Sequence, residues 1–180
     1  LGDDECEKQV DNFKRYMEIA QKLECNMIRV WAGGPKPNIA RKDHWYRAAY
    51  FIQKTADYAL SADIKIVLEN DENLTATVES TLKLLRLIDR PNVGITYDPG
   101  NIYRVTPNYY GIEAVRRFGK KIFHVHVKDV GDNNNLQVLL GEGNLNYPLI
   151  FKALKEIGYQ GFVTAECHKE PSKDMSDIHI

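Results

Sequence analysis

The sequence contains few cysteines, and their spacing excludes two common kinds of small-protein scaffold. Among its 180 residues are three cysteines, Cys6, Cys25 and Cys167, and no two of them form a Cys-x-x-Cys pair. An odd number of cysteines without that spacing indicates neither a disulfide framework nor a zinc knuckle. Free cysteines are typical of a reducing compartment, so we expect a cytoplasmic protein.

Long apolar runs and a surplus of charge of either sign are also missing. No window approaches the roughly 18 consecutive apolar residues of a membrane-spanning helix, and the acidic start LGDDECEKQV does not resemble a signal peptide. The 24 Lys and Arg residues balance 25 Asp and Glu residues, whereas nucleic-acid-binding domains are commonly basic. We therefore expect neither a membrane nor a nucleic acid as a partner.

Short apolar strands and amphipathic helices alternate along the whole chain. The predicted strands are Asn26–Trp31, Ile64–Leu68, Asn92–Tyr97, Ile122–Val127 and Gly161–Glu166. The predicted helices are Lys8–Leu23, Asp43–Leu60, Leu74–Leu87, Tyr109–Phe118 and Tyr147–Ile157. Such alternation is typical of βαβ units and a parallel sheet. Because no glycine-rich phosphate loop follows any strand, an α/β fold of the (β/α)8 TIM-barrel type is favoured over a nucleotide-binding open sheet.

Four consecutive predicted strands end in a residue that can bind a metal ion. Asp98 follows Glu69 by 29 residues, His126 follows Asp98 by 28, and Glu166 follows His126 by 40, roughly one βα unit per step. Parallel strands place equivalent ends at one end of the fold, which in a barrel carries the active site. Three carboxylates and one imidazole suit Mn²⁺, Mg²⁺ or Co²⁺ and tolerate Zn²⁺.

Each of these residues also has a simpler interpretation. A single acid at a strand end commonly caps a loop or pairs with a basic side chain, and a histidine in an apolar strand is commonly a hydrogen-bonded core residue. Four candidates in matching positions are harder to explain in that way. His124 and His126 share one face of their strand because side chains alternate with period two. His126 is nearer the end of the strand and is the better candidate ligand.

Five sequence segments in the right order resemble the xylose-isomerase-like TIM-barrel superfamily, the sugar phosphate isomerase/epimerase group. The segments are Val67–Asn70, Thr96–Asn101, Phe123–Asp129, Leu140–Pro148 and Gly158–Glu166. The resemblance implies one divalent metal ion bound by Glu69, Asp98, His126 and Glu166. It also implies that Glu69 and Glu166 are the catalytic acid/base pair. The implied activity is a metal-dependent sugar or sugar phosphate isomerase or epimerase, which abstracts a proton next to a metal-bound carbonyl through an enediolate.

Further residues near the strand ends are candidates for contact with a small sugar or polyol substrate: Trp31, Asn101, His124 and Lys128. Trp31 can stack on a sugar ring, although packing of buried aromatic residues explains it nearly as well. Lys128 directly follows the strand Ile122–Val127 that carries His126, and a solvated ion pair is the alternative for it. Asn101 stands where many family members have a histidine, and an amide can orient a hydroxyl group but does not titrate near neutral pH.

Three other functions remain open at this point. Inosose dehydration begins with the same proton abstraction, so a lyase can use the same residues. An abasic-site endonuclease of the endonuclease IV type shares the barrel but needs a trinuclear zinc site, and this chain has 5 histidines and no basic surplus. A non-catalytic barrel is the third alternative, although the complete set of four candidate ligands argues against it.

The length departs from that of a complete barrel. We expect residues 1–180 to form a single xylose-isomerase-like domain with five visible strands, which correspond to the fourth to eighth of a barrel's eight. The chain begins with Leu1 rather than Met, and we expect it to be a fragment that lacks N-terminal strands and the last helix. Its first and last strands would then lie at open edges of the sheet, and homo-oligomerisation is compatible with the sequence.

Overall fold

Five parallel strands form one sheet in the computed structural model, which describes residues 2–166. The strands are β1 Met27–Val30, β2 Lys65–Glu69, β3 Val93–Tyr97, β4 Ile122–Val127 and β5 Val163–Ala165. Their spatial order follows the chain, and each neighbouring pair is parallel. Strands β1 and β5 are the two edges and do not pair with each other. The predicted α/β fold is confirmed as an open part of a TIM barrel.

Six helices precede, separate and pack against the strands within residues 2–166. They are α1 Asp3–Lys22, α2 Lys42–Ser61, α3 Val78–Ile88, α4 Pro99–Val105, α5 Ile112–Phe118 and α6 Tyr147–Glu156. Short 3₁₀ turns lie at Gly119–Lys121 and Asp132–Asn134. Within residues 2–166, no helix is long and apolar enough to cross a membrane.

The hydrophobic core lies between the helices and the sheet. Leu68 of β2 and Ile95 of β3 are fully buried among apolar residues from the helices. The next residue of each strand, Glu69 and Thr96, is paired in register and projects to the opposite side of the sheet. Burial is greatest in the middle, because every residue of β3 is buried whereas every residue of β5 is exposed.

Helices α1, α3 and α5 begin three or more residues from their predicted starts, and α4 was not predicted. Helix α3 begins at Val78 rather than Leu74, because Thr77 is its N-cap and accepts a hydrogen bond from the backbone N–H of Ser80. Asp98 caps helix α4 and Pro99 is its first residue, a position that proline tolerates well.

Two expectations concern the C-terminal segment and lie outside the described residues. The sequence suggested no chemical role for Cys167 and no helix over residues 169–180. The described part of the chain ends at Glu166.

Candidate metal centre

The structure brings together the four side chains that the sequence singled out at the strand ends. One ligand atom from each of Glu69, Asp98, His126 and Glu166 lies within 4.8 Å of the others. Three of these residues are buried, and Glu166 is partly buried. They form a single cluster on the inner side of the sheet, which we call the four-residue cluster.

Strand register explains the convergence of these side chains. Glu69 is paired with Thr96, which lies two residues before Asp98 on the same face. His126 is paired with Thr164, which lies two residues before Glu166 on the same face. Because side chains repeat with period two along a strand, all four point to the inner side at the same end of the sheet.

Three neighbouring groups orient the carboxylate of Glu69. The indole Nε1 of Trp31 donates a hydrogen bond of 2.8 Å to Oε2, and Nη1 of Arg29 lies 3.1 Å from the same oxygen. The other oxygen, Oε1, is 3.1 Å from Nδ1 of His126. These contacts place Glu69 between an edge cation and the histidine of the four-residue cluster.

Lys128 joins the other two carboxylates of the cluster. Its Nζ lies 2.9 Å from Oδ2 of Asp98 and 2.8 Å from Oε2 of Glu166. The backbone of Lys128 is fixed by Tyr147, whose hydroxyl accepts a hydrogen bond from its N–H and donates one to its carbonyl. Lys128 is therefore a buried, positioned cation, which disfavours the alternative of a solvated ion pair.

Burial and the ammonium of Lys128 have opposing effects on the two carboxylates. Burial raises the pKa of Asp98, and the charge of Lys128 offsets this only in part. Burial also acts to raise the pKa of Glu166, but the hydrogen bond and charge of Lys128 outweigh it and lower that pKa. The pKa of Lys128 is raised, because the charge of Asp98 and the hydrogen bonds outweigh burial. The partly exposed Glu166 is thus stabilised as an anion more strongly than the buried Asp98.

Two asparagines connect the ends of β2 and β3 beneath the cluster. The side chain of Asn70 donates to the carbonyl of Asp98 over 2.7 Å and accepts from its N–H over 2.8 Å. Nδ2 of Asn101 donates to the carbonyl of Asn70 over 2.9 Å. Asn101 thus lies beside the candidate ligand Asp98, with its amide nitrogen used in the scaffold, and substrate contact by Asn101 remains a prediction.

The other candidate substrate residues differ in how they are placed. Trp31 is largely exposed at the end of β1, and the guanidinium of Arg29 stacks over its ring at 4.5 Å. His124 lies on the same face as His126, with ring centroids 5.2 Å apart, and its Nε2 is 3.1 Å from Oγ1 of Thr164. Burial and the proximity of His126 lower the pKa of His124.

Sequence reasoning missed Arg29 as a member of this site. Its strand has the pattern Met-Ile-Arg-Val, in which a single arginine suggests an exposed position on an edge strand. The available signal was its spacing of two residues from Trp31, which places both side chains on one face. Nη1 of Arg29 lies 3.1 Å from Glu69 and 3.4 Å from Glu166, so it bridges both glutamates.

Asp129 was also overlooked as the anchor of a loop next to the site. Its carboxylate accepts hydrogen bonds from four backbone N–H groups, those of Val130, Gly141, Gly143 and Leu145. A Cβ atom at Gly143 would be only 2.3 Å from Oδ1 of Asp129, so this close approach requires glycine. The carboxylate therefore supports the loop rather than the four-residue cluster.

The four-residue cluster fits a divalent metal ion. Three carboxylates and one imidazole are ligands that Mn²⁺, Mg²⁺, Co²⁺ and Zn²⁺ accept, and the atoms are close enough to share one ion. Oδ2 of Asp98 is buried without a well-aligned hydrogen bond, although Nζ of Lys128 lies nearby. A buried carboxylate oxygen with spare acceptor capacity is what a metal ligand requires.

The chain belongs to the family described as xylose isomerase-like TIM barrel, whose model matches residues 1–178. The suspected resemblance is thereby confirmed. Inosose dehydratase of Lacticaseibacillus casei is 24% identical over 151 residues, covering 73% of this chain and 49% of that protein. The 2-oxo-tetronate isomerase of Haemophilus influenzae is 27% identical over 163 residues, covering 83% of this chain and 58% of that protein.

A solved structure shows the same fold. The probable 3-DHS dehydratase AsbF of Bacillus anthracis superposes with a TM-score of 0.80 at 23% identity, covering 89% of this chain and 64% of that one. The chain spans about half the length of the curated relatives it matches. These relatives carry the names of isomerases and dehydratases, so the matches support an enzyme of this broad group.

Proposed function

We propose that this chain carries the metal-binding part of a sugar or sugar-acid isomerase or epimerase. The observation that supports the proposal is the four-residue cluster, a compact acidic site that contains two glutamates. The bound ion would be Mn²⁺, Mg²⁺ or Co²⁺, with Zn²⁺ as an alternative. Glu69, Asp98, His126 and Glu166 would bind it, and it would stabilise negative charge on substrate oxygens.

The two glutamates would move the proton. Glu166 is the partly exposed carboxylate, and in its ionised form it would accept a proton from the substrate carbon next to the carbonyl. Glu69 would return a proton to the other face or to the neighbouring atom, and Trp31 and His126 hold its carboxylate in place. Lys128 would keep Glu166 oriented and stabilise charge that develops on the enediolate.

Dehydration is the second candidate reaction for the same residues. The names inosose dehydratase and 3-DHS dehydratase among the relatives favour it. The first step is the same proton abstraction. The bond to a hydroxyl group on the neighbouring carbon would then break as the carbon–carbon double bond forms, and that hydroxyl would take up the abstracted proton and leave as water, in place of the return of the proton to carbon. The nature of the product distinguishes the two reactions.

Deuterium exchange tests the proposed proton transfer. The full protein with Mn²⁺ or Co²⁺ is incubated in D₂O with ketoses, inososes and oxo sugar acids, and NMR follows loss of the α-proton. Glu166→Gln keeps the shape of the side chain but removes the base, so exchange should fall by about 10²-fold or more. Glu113→Gln, on the surface of α5, is the matched control and should leave exchange unchanged.

Three results would contradict the proposal or redirect it. Full exchange by Glu166→Gln would contradict the role of that residue. A dehydrated, ultraviolet-absorbing product without an epimer or isomer would favour the lyase. Cleavage of abasic DNA without exchange on any sugar would favour the endonuclease.

The remaining expectations are part of the same proposal. We infer a small-molecule substrate, since the sequence has no basic surplus, and a cytoplasmic location, since its few cysteines indicate a reducing compartment. Trp31, Asn101, His124 and Lys128 are the proposed substrate contacts, and Asn101→Ala should raise KM more than it lowers kcat. Residues 1–180 are proposed to form part of a single barrel domain that can assemble into homo-oligomers.

A further inference from the structure

Two of the three guanidinium nitrogens of Arg29 make no hydrogen bond within residues 2–166. Both of its contacts with the glutamates are made by a single nitrogen, Nη1. In the part of the chain that the structure describes, Nη2 and Nε have no hydrogen-bond partner. The side chain is 35% exposed, which leaves part of it open to a ligand at the four-residue cluster.

The position of this guanidinium is fixed before any ligand arrives. Its Cζ lies over the ring of Trp31, 4.5 Å from the ring centroid, while Glu69 and Glu166 hold Nη1. A planar guanidinium with two free, adjacent donors matches the two oxygens of a carboxylate. Such an arrangement loses less conformational entropy on binding than a mobile side chain does.

The charge of the site also favours an anionic ligand. The three carboxylates of Glu69, Asp98 and Glu166 outnumber the two cations Arg29 and Lys128 by one. With a divalent ion held by the cluster and His126 neutral, the site carries one net positive charge. A ligand with a single negative charge would neutralise it.

We propose that Arg29 binds the carboxylate of the substrate, and that the substrate is a monoanionic polyhydroxy or oxo acid rather than a neutral sugar. This inference rests on the proposed function, because it places the carboxylate of that substrate at the edge of the same site. Nη2 and Nε of Arg29 donate to the two carboxylate oxygens. The hydroxyl and carbonyl end of the substrate then lies between Glu69 and Glu166.

A pair of matched probes tests this inference by binding rather than by turnover. D-Ribonate and ribitol have the same five-carbon polyhydroxy chain and differ only in a carboxylate against a CH₂OH group. Their affinities for the Mn²⁺-loaded full protein are measured by titration calorimetry, and Mn²⁺ affinity is measured separately by electron paramagnetic resonance. We expect ribonate to bind about tenfold more tightly or better, as a paired, charge-assisted contact implies.

Substitution of Arg29 separates its contribution from that of the metal ion, which can itself attract a carboxylate. In Arg29→Gln the preference for ribonate should fall below about threefold, while Mn²⁺ binding is retained or strengthened because a positive charge is removed. Arg29→Lys keeps the charge but loses the paired donors, so its preference should be intermediate. Arg116→Gln, on the surface of α5, is the control and should keep the full preference.

The outcomes distinguish this inference from the proposed function. Equal affinity for the two probes, binding of neither, or a full preference that survives in Arg29→Gln would overturn the role of Arg29 while Mn²⁺ binding still supported the metal centre. Failure of the unaltered protein to bind Mn²⁺, Co²⁺, Mg²⁺ or Zn²⁺ would overturn the proposed function itself.

Discussion

The central strands and the edge strands of the sheet contribute to the candidate site in different ways. Glu69, Asp98 and His126 end the central strands β2, β3 and β4, and all three are buried. Arg29 and Glu166 belong to the edges, and their side chains are 35% and 29% exposed. The central residues are enclosed by packing, whereas the edge residues remain accessible to a ligand.

This difference suggests that the central residues bind the metal ion and the edge residues contact the substrate. A metal ion requires fixed distances between its ligands, which packing on both faces of the central strands supplies. A substrate must enter and leave, which requires side chains near solvent. Substitutions at the centre and at the edge of the sheet test this contrast.

The largest effect should come from the core of a central strand. Leu68→Ala in β2 removes a fully buried side chain, and we expect it to lower the free energy of unfolding by about 2–5 kcal/mol. Val163→Ala in β5 is the matched edge substitution, at a side chain that is 46% exposed, and should cost less than about 1 kcal/mol. Urea denaturation of the full protein measures both. Equal costs would show that the two regions are equally well packed.

A smaller effect should come from the link between β2 and β3. Asn70→Ala removes the side chain that pairs with both the N–H and the carbonyl of Asp98. Leaving these groups unpaired should cost about 1–3 kcal/mol and weaken Mn²⁺ binding by about tenfold or more. Asn12→Ala, at an exposed position of α1, is the control. Unchanged Mn²⁺ affinity in Asn70→Ala would show that Asp98 is held by its own strand alone.

The smallest effects should come from the helix caps. Thr77→Ala removes the N-cap of α3, which follows a central strand, and should cost about 1 kcal/mol. Gly2→Ser adds a capping side chain to α1, which precedes the edge strand β1, and nothing within 4 Å of the new Cβ obstructs it. The expected gain is only a few tenths of a kcal/mol. Thermal unfolding of both variants checks these values, and a larger gain at Gly2 would mean that the edge limits stability.

Regular spacing made much of the fold predictable from the sequence. The strands could be located because Ile64–Leu68 and Asn92–Tyr97 are short apolar runs between helices, and the helix–strand alternation implies parallel neighbours. The convergence of Glu69, Asp98, His126 and Glu166 followed from their equivalent places on successive strands. Period-two alternation further favoured His126 over His124 as the residue nearer the end of the strand.

The missed features depend on contacts between residues that are distant in sequence. Arg29 reaches Glu166 across 137 positions, and no local pattern reveals a contact between the two edges of a curved sheet. Asn70 and Asp129 act through hydrogen bonds to backbone groups. Because every residue has such groups, the sequence does not indicate which residues are their partners. Helix α4 was missed because Pro99 and Gly100 are common both in turns and at helix starts.

The four hydrogen bonds that Asp129 accepts determine which part of the neighbouring loop can vary in sequence. They fix both ends of the segment between Val130 and Leu145 to one side chain. The residues between Val130 and Gly141, which include exposed positions 132–135, can change in length and composition without moving the neighbouring His126. Exchange of this stretch alone would therefore alter the loop next to the site while leaving the four-residue cluster intact.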